Sequence, residues 1–178
     1  MTNALETDRQ TNSLRRLVLS LRVPVGIIAL VGLSLSAWVN IASMRGVDVE
    51  FTWPNVWLLH YALIPTIMIA VLTASAVAGQ KRLGLRNFLT LVPAWALAVL
   101  VVALVYALAT FLVFTPASGA GDPLIQDGRF FFNDHGIMRE VTEDQFHLQR
   151  SVSLRLYSGV WIYLYLFSAI YLLGARRS

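Results

Sequence analysis

The sequence predicts an all-α integral membrane protein: four transmembrane helices, with a small extracytoplasmic β-hairpin ahead of a long fourth helix. Three observations carry this. Hydrophobic residues make up 57% of the 178-residue chain and charged residues only 13%, with a mean hydropathy of +0.64; charged residues are about a quarter of an ordinary soluble domain. The apolar residues gather into runs long enough to cross a bilayer, which takes roughly 20 residues. Between the last two runs lies a polar stretch unlike its surroundings, "GRFFFNDHGIMREVTEDQF", Gly128 to Phe146.

Residues 1–16 read as a polar tail, and residues 17–114 hold the first three helices. The first run extends from about Leu17 to Ser43, the second from Val56 to Ala78 and the third from Phe88 to Phe114. The second and third contain no Asp, Glu, Lys or Arg. The first contains only Arg22, close enough to its start for the side chain to reach the headgroups. That run far exceeds the roughly 7–15 apolar residues of a secretory signal, so it reads as a retained anchor. The fourth run, about 156–173, belongs to a longer helix spanning 143–174, and residues 175–178 form a short basic tail.

Orientation follows from the basic residues. Arg9, Arg15 and Arg16 precede the first run, Lys81, Arg82 and Arg86 lie between the second and third, and Arg176 and Arg177 follow the fourth. The other two connections carry nearly all the acids. Because Lys and Arg collect on the cytoplasmic side, both termini are expected there, with residues 115–142 as an extracytoplasmic loop and hairpin. The implied location is a bacterial inner membrane. Trp38, Trp53, Trp57, Phe111, Phe114 and Trp161 then fall near the outer ends of their helices, as interfacial rings do. The net charge of +4 reflects this sidedness; with no basic patch interleaved with aromatics, nucleic acid is not an expected partner.

Small residues at spacings of three and four mark where membrane helices approach each other. They are Ala29, Gly32, Ser36 and Asn40 in the first helix, Ala62, Thr66, Ala70 and Thr73 in the second, and Ala96, Ala103, Ala107 and Thr110 in the third. The fourth shows an aromatic stripe, Tyr163, Phe167 and Tyr171, suited to lipid or to a groove between helices.

Residues 115–128, "TPASGAGDPLIQDG", read as a loop rich in turn formers. "RFFF" and "IMREV" then flank Asn133-Asp134-His135-Gly136, a structural turn closing a three- or four-residue hairpin. Thr142 with Gln145 three residues later matches a capping box, and Glu143 and Asp144 suit the positive end of a helix. From Glu143 that helix is roughly 48 Å long at about 1.5 Å per residue, against about 30 Å of hydrocarbon. It should therefore stand above the membrane with the hairpin leaning on it.

The chemistry-bearing residues are few. The chain has no cysteine, which excludes disulfides and thiolate chemistry. Asp134, His135 and His147 are the only grouping with metal-ligand character, and no spacing motif joins them, so no metal site is assigned. No nucleophile is paired with a base, so no catalytic residue is assigned, and no cofactor is implied. His60 is unusual because an ionisable group inside a membrane helix invites a functional reading. Its prospective partners at similar depth include Asn40 and Arg155; the plainer reading is a neutral imidazole bonded to a neighbouring helix. On the polar module, Arg139, Glu140, Glu143 and His147 are the candidate recognition residues.

The run Asn133–Gly136, Glu140-Val141-Thr142, Phe146, Arg155 and Ser158-Gly159-Val160-Trp161 resembles a segment of uncharacterised small four-helix bacterial membrane proteins, "N-H-G…v-[ST]-x-x-x-[YF]…R-x-x-S-G-x-W" before the last helix. It covers about 30 residues and departs by the Asp before the His and by Phe for Tyr. The resemblance implies the same architecture and no chemistry. Small size, the lack of membrane-embedded carboxylates and a single outward polar module favour a non-catalytic interaction protein, an accessory subunit of a membrane complex or an immunity-type protein. Its partners would be the bilayer and another membrane protein or a second copy. The alternative is a membrane enzyme or a lipid- or quinone-binding protein with a site near His60 and Arg155.

Overall fold

A computed structural model describes the backbone at residues 2–78, 89, 91–114 and 121–174. The basic run Lys81–Arg86, the first part of the loop after the third helix and the C-terminal arginines lie outside the described residues.

In chain order the elements are α1 (Thr2–Met44), α2 (Val49–Thr52), a 3₁₀ turn (Pro54–Trp57), α3 (Leu58–Ala78), α4 (Ala94–Phe114), strands β1 (Asp122–Gln126), β2 (Arg129–Asp134) and β3 (Ile137–Glu140), and α5 (Glu143–Ala169), which continues as a π-helical turn, Ile170–Gly174. Among the described residues, four stretches are long and apolar enough to cross a membrane: Arg15–Met44, Pro54–Val77, Ala94–Leu112 and Glu143–Gly174.

Several boundaries differ from those read in the sequence. The helix expected from Leu17 begins at Thr2, because no helix breaker separates the polar start from the apolar run. The third helix runs from Ala94, and Phe88, its expected start, lies outside the described residues. Pro93 stands just before its first turn, and the Pro93 carbonyl accepts from Ala96 N and Leu97 N at 2.9 and 3.3 Å. The first connection is partly helical: the Asp48 carboxylate caps α2 by accepting from Phe51 N at 3.0 Å, and Pro54 opens the 3₁₀ turn.

The chain divides into two compact units. One comprises Met1–Gly32, Tyr61–Val101 and Leu164–Ser178; the other comprises Leu33–His60 and Val102–Tyr163. In the first, Ala29, Leu63, Ala70, Ala74, Ala96, Tyr165, Tyr171 and Leu172 are buried. The small-residue faces hold with one exception: Thr66, Ala70, Thr73, Ala96, Ala103, Ala107 and Thr110 are buried, but Ala62 is exposed and Leu63 takes its place. Gly32 shows why small residues matter. A Cβ there would sit 2.4 Å from Tyr165 Cε1, so the ring lies directly on the α1 backbone. Of the aromatic stripe on the last helix only Tyr171 is buried; Phe146, Trp161 and Tyr165 supply its other large buried rings. Large apolar side chains such as Val102 and Leu112 are 69% and 70% exposed, the reverse of a water-facing helix surface.

The second unit carries the sheet. The expected hairpin is a three-stranded antiparallel meander in the order β1-β2-β3. The added strand, β1, lies in what the sequence reads as loop. Both turns have two residues, not three or four, since Gln126 pairs with Arg129 and Asp134 with Ile137. Their central residues all have positive φ: Asp127 (51°) and Gly128 (75°), then His135 (52°) and Gly136 (94°). Paired positive φ defines the hairpin turn whose twist matches that of the strands, and Asp-Gly is among its preferred sequences. Pro123 is tolerated because β1 is an edge strand.

Candidate functional site

The polar chemistry of the described residues concentrates in the second unit, at the junction of sheet, α2 and α5. The capping box forms as its sequence prescribes: Gln145 N donates to Thr142 Oγ1 at 3.3 Å and Thr142 N donates to Gln145 Oε1 at 3.1 Å. It fixes where α5 starts relative to β3. Directly below, Phe146 is buried, and the Phe130 ring lies 5.0 Å from it. One face of the sheet therefore rests on α5, and Phe132 is buried on that face.

A charge cluster ties α2 to the same helix. His147 Nδ1 donates to Asp48 Oδ2 at 2.7 Å; Arg150 Nε lies 3.4 Å from that oxygen, and Arg150 Nη2 lies 3.3 Å from Glu50 Oε1. His147 Nε2 faces Glu143 Oε1 at 3.6 Å. The Asp48 and Arg150 side chains are only 7% and 15% exposed, so these charges act in a partly dry setting. Asp48, Glu50 and Arg150 are absent from the residues that sequence singles out. The available signal is weak: two acids in the first connection, and a His and an Arg three apart on one face of the fourth helix.

The recognition residues read from sequence are distributed, not clustered on one face. Arg139 stacks over Phe132 at 5.6 Å, on the sheet face turned to α5. Glu140 lies on the opposite face with Arg129 at 3.6 Å. Glu143 is exposed at the start of α5, and His147 is enclosed by Asp48 and the rings of Phe51, Phe130 and Phe146. The outward face alternates the remaining way. Leu124 pairs across β2 with Phe131, Met138 lies diagonally beyond on β3, and Asp122, Arg129 and Glu140 surround them.

The Asn133–Gly136 turn is self-contained. Gly136 N donates to Asn133 Oδ1 at 2.8 Å, and His135 Nδ1 lies 2.7 Å from Asp134 Oδ1. The Asp134 carboxylate raises the pKa of the fully exposed His135 above its ordinary value, first through this hydrogen bond and then through its charge. His147 is held by Asp48 and Glu143, so Asp134, His135 and His147 do not converge. No group of three or more His, Asp or Glu able to hold a metal occurs among the described residues.

His60 and Asn40 each bond to the last helix. The Asn40 side chain, 3% exposed, donates to the Arg155 carbonyl at 3.1 Å and to Ser158 Oγ at 2.9 Å, and accepts from Tyr106 Oη at 2.6 Å. Arg155 thus meets Asn40 through its backbone. His60 Nδ1 accepts from Trp161 Nε1 at 3.1 Å, beside the ring of Trp57. An indole only donates, so in the neutral ring the proton sits on Nε2. Both arrangements bind one helix to another.

No protein-family model, no curated protein and no solved structure matches the chain.

Proposed function

We propose that this chain is a multi-pass protein of the bacterial inner membrane with both termini cytoplasmic, and that it works without catalysis by binding another membrane protein. An accessory subunit of a membrane complex and an immunity-type protein both fit this reading. The single observation that supports it is the outward face of the sheet. The Asp48–His147–Arg150–Glu50 cluster and the Phe130–Phe146 contact hold the module on its helix. Yet Leu124 and Met138 stay 42% and 40% exposed on the far side, and every residue of β3 is exposed at the open edge. A rigidly mounted apolar stripe ringed by charges has the make-up of a recognition patch, and an open strand edge offers backbone pairing.

Native membranes solubilised in mild detergent should yield the protein with a stoichiometric membrane partner, identified by mass spectrometry. Met138→Glu should abolish that co-purification with the thermal midpoint unchanged. A homodimer alone would redirect the face to self-association, and a partner retained by Met138→Glu would sink the proposal. A reporter active only outside the cytoplasm should work when inserted near Gly119 and fail after Ser178; the reverse would overturn the orientation.

A further inference from the structure

We infer that a pocket of the second unit, between the sheet and the membrane helices, binds one phospholipid that carries a primary ammonium, the headgroup chemistry of phosphatidylethanolamine. The ammonium lies at Asp122 and the start of the acyl chains at Phe111, Leu156 and Val160. The inference rests on the membrane insertion proposed above and is independent of the sheet's partner.

The pocket has a volume of about 420 Å³ and lies wholly within the second unit. Phe111 of α4 and Leu156 and Val160 of α5 form its apolar end. Phe111 stands one residue before the end of the candidate span Ala94–Leu112. The two helices are level there, since a Cβ on Gly159 would lie 3.6 Å from Thr110 Cγ2. The apolar end therefore sits at the edge of the hydrocarbon. Tyr157, exposed in the same lining, stands where interfacial rings anchor. Ser153 and Gln149 continue the wall along α5, about 5 and 10 Å beyond Leu156 at about 1.5 Å per residue. Headgroups extend about 5–8 Å beyond the hydrocarbon on each side. The sheet closes this polar end with Asp122, Asp134 and His135. The lining thus turns from apolar to polar where a lipid does.

The charge argues for a cationic headgroup. Two carboxylates face one imidazole in the lining, so at least one negative charge stays uncompensated there. Asp134 is engaged, with Oδ1 2.7 Å from His135 Nδ1. The Asp122 side chain is exposed and makes no hydrogen bond or ion pair among the described residues, although its charge reaches His135. A primary ammonium has three N–H groups, as that of lysine does, and donates to a carboxylate; the quaternary ammonium of choline has none to give. Ser153 supplies a hydroxyl for the phosphate. Ser151, Ser158 and Ser168 on α5 each return their hydroxyl to a carbonyl one turn back. Ser153 makes no such bond among the described residues.

The full-length protein would be tested by flotation with phosphatidylcholine vesicles and by native mass spectrometry after purification with equimolar lipid mixtures. Wild type should float and retain one phosphatidylethanolamine about tenfold more than phosphatidylcholine or phosphatidylglycerol, the discrimination of one charge-assisted hydrogen bond. Asp122→Asn, which keeps the shape of the side chain, should lose that preference, and Asp122→Glu should keep part of it. Val160→Trp gives a second test: it fills the apolar end, leaves every charge in place and should lower phosphatidylethanolamine retention about as much. Flotation with phosphatidylcholine or phosphatidylglycerol retained as well as phosphatidylethanolamine, or a preference surviving both Asp122→Asn and Val160→Trp, overturns the site alone. Failure to float overturns membrane insertion and the site with it.

Discussion

The imidazole of His147 donates to the carboxylate of Asp48 across 99 residues of sequence, at 2.7 Å. That contact joins the first connection to the fourth helix, and Asp48 also caps α2. One carboxylate thus holds a helix start, an imidazole and a guanidinium.

Asp48→Ala should therefore be the most damaging substitution in the second unit. It removes a cap worth about 1 kcal/mol and leaves His147 and Arg150 facing a partly dry site. Loss of one partner from such a pair costs about 3 kcal/mol when burial is nearly complete. A total of about 2–4 kcal/mol is expected, read as a lowered unfolding midpoint in detergent. Glu50→Gln, at the more exposed end of the cluster, should cost under about 1 kcal/mol. Equal effects would refute the central place given to Asp48.

The Asn40 network makes a coupling prediction. Tyr106 Oη and Ser158 Oγ reach the same side chain. Double-mutant cycles between membrane helices average about 0.6 kcal/mol. Asn40→Ala paired with Tyr106→Phe should couple by about 1 kcal/mol, toward the upper part of the observed range, since Asn40 serves three partners. Additive effects would mean that the tyrosine hydroxyl contributes nothing.

Periodicity and composition carried most of this architecture, and particular residues show where they stop. The four apolar runs, the 32-residue last helix and the Thr142–Gln145 cap were legible because each is local: a run length, or a pair three apart. Strand β1 was not read, although Asp127-Gly128 is a strong hairpin signal. The Gly, Pro and Ala before it masked the short strand they introduce. The Asp48–His147 pair is non-local, and nothing in sequence selects one acid for one histidine. The bonds of His60 to Trp161 and of Asn40 to Ser158 are likewise non-local, and depth along a helix does not select them.

His135 should titrate above the ordinary histidine value, because Asp134 stabilises its charged form. The sign follows directly. A pKa raised by folding stabilises the turn fully below the unfolded value near 6.5 and loses that support as pH rises through the higher folded value. The side chain is fully exposed, so the effect belongs to the turn. An NMR titration should show His135 above 6.5 in wild type and lower in Asp134→Asn. No difference between the two would show that the contact does not persist in solution.

The turn itself decides whether the polar stretch is architecture or chemistry. Gly136 has φ 94° with open space where a Cβ would stand, so its constraint is the backbone and not a neighbour. A β-branched residue tolerates positive φ poorly. Gly136→Val should therefore cost about 1–3 kcal/mol and loosen the β2–β3 register, with faster amide exchange at Ile137 to Glu140. His135 also occupies positive φ, but its side chain bonds to Asp134, the residue just before it. His135→Ala should leave the register and partner binding intact and remove only the titration. If His135→Ala instead abolishes partner binding while the exchange pattern of the sheet is preserved, the imidazole itself is a recognition group, and the reading of Asn133 to Gly136 as a purely structural turn fails.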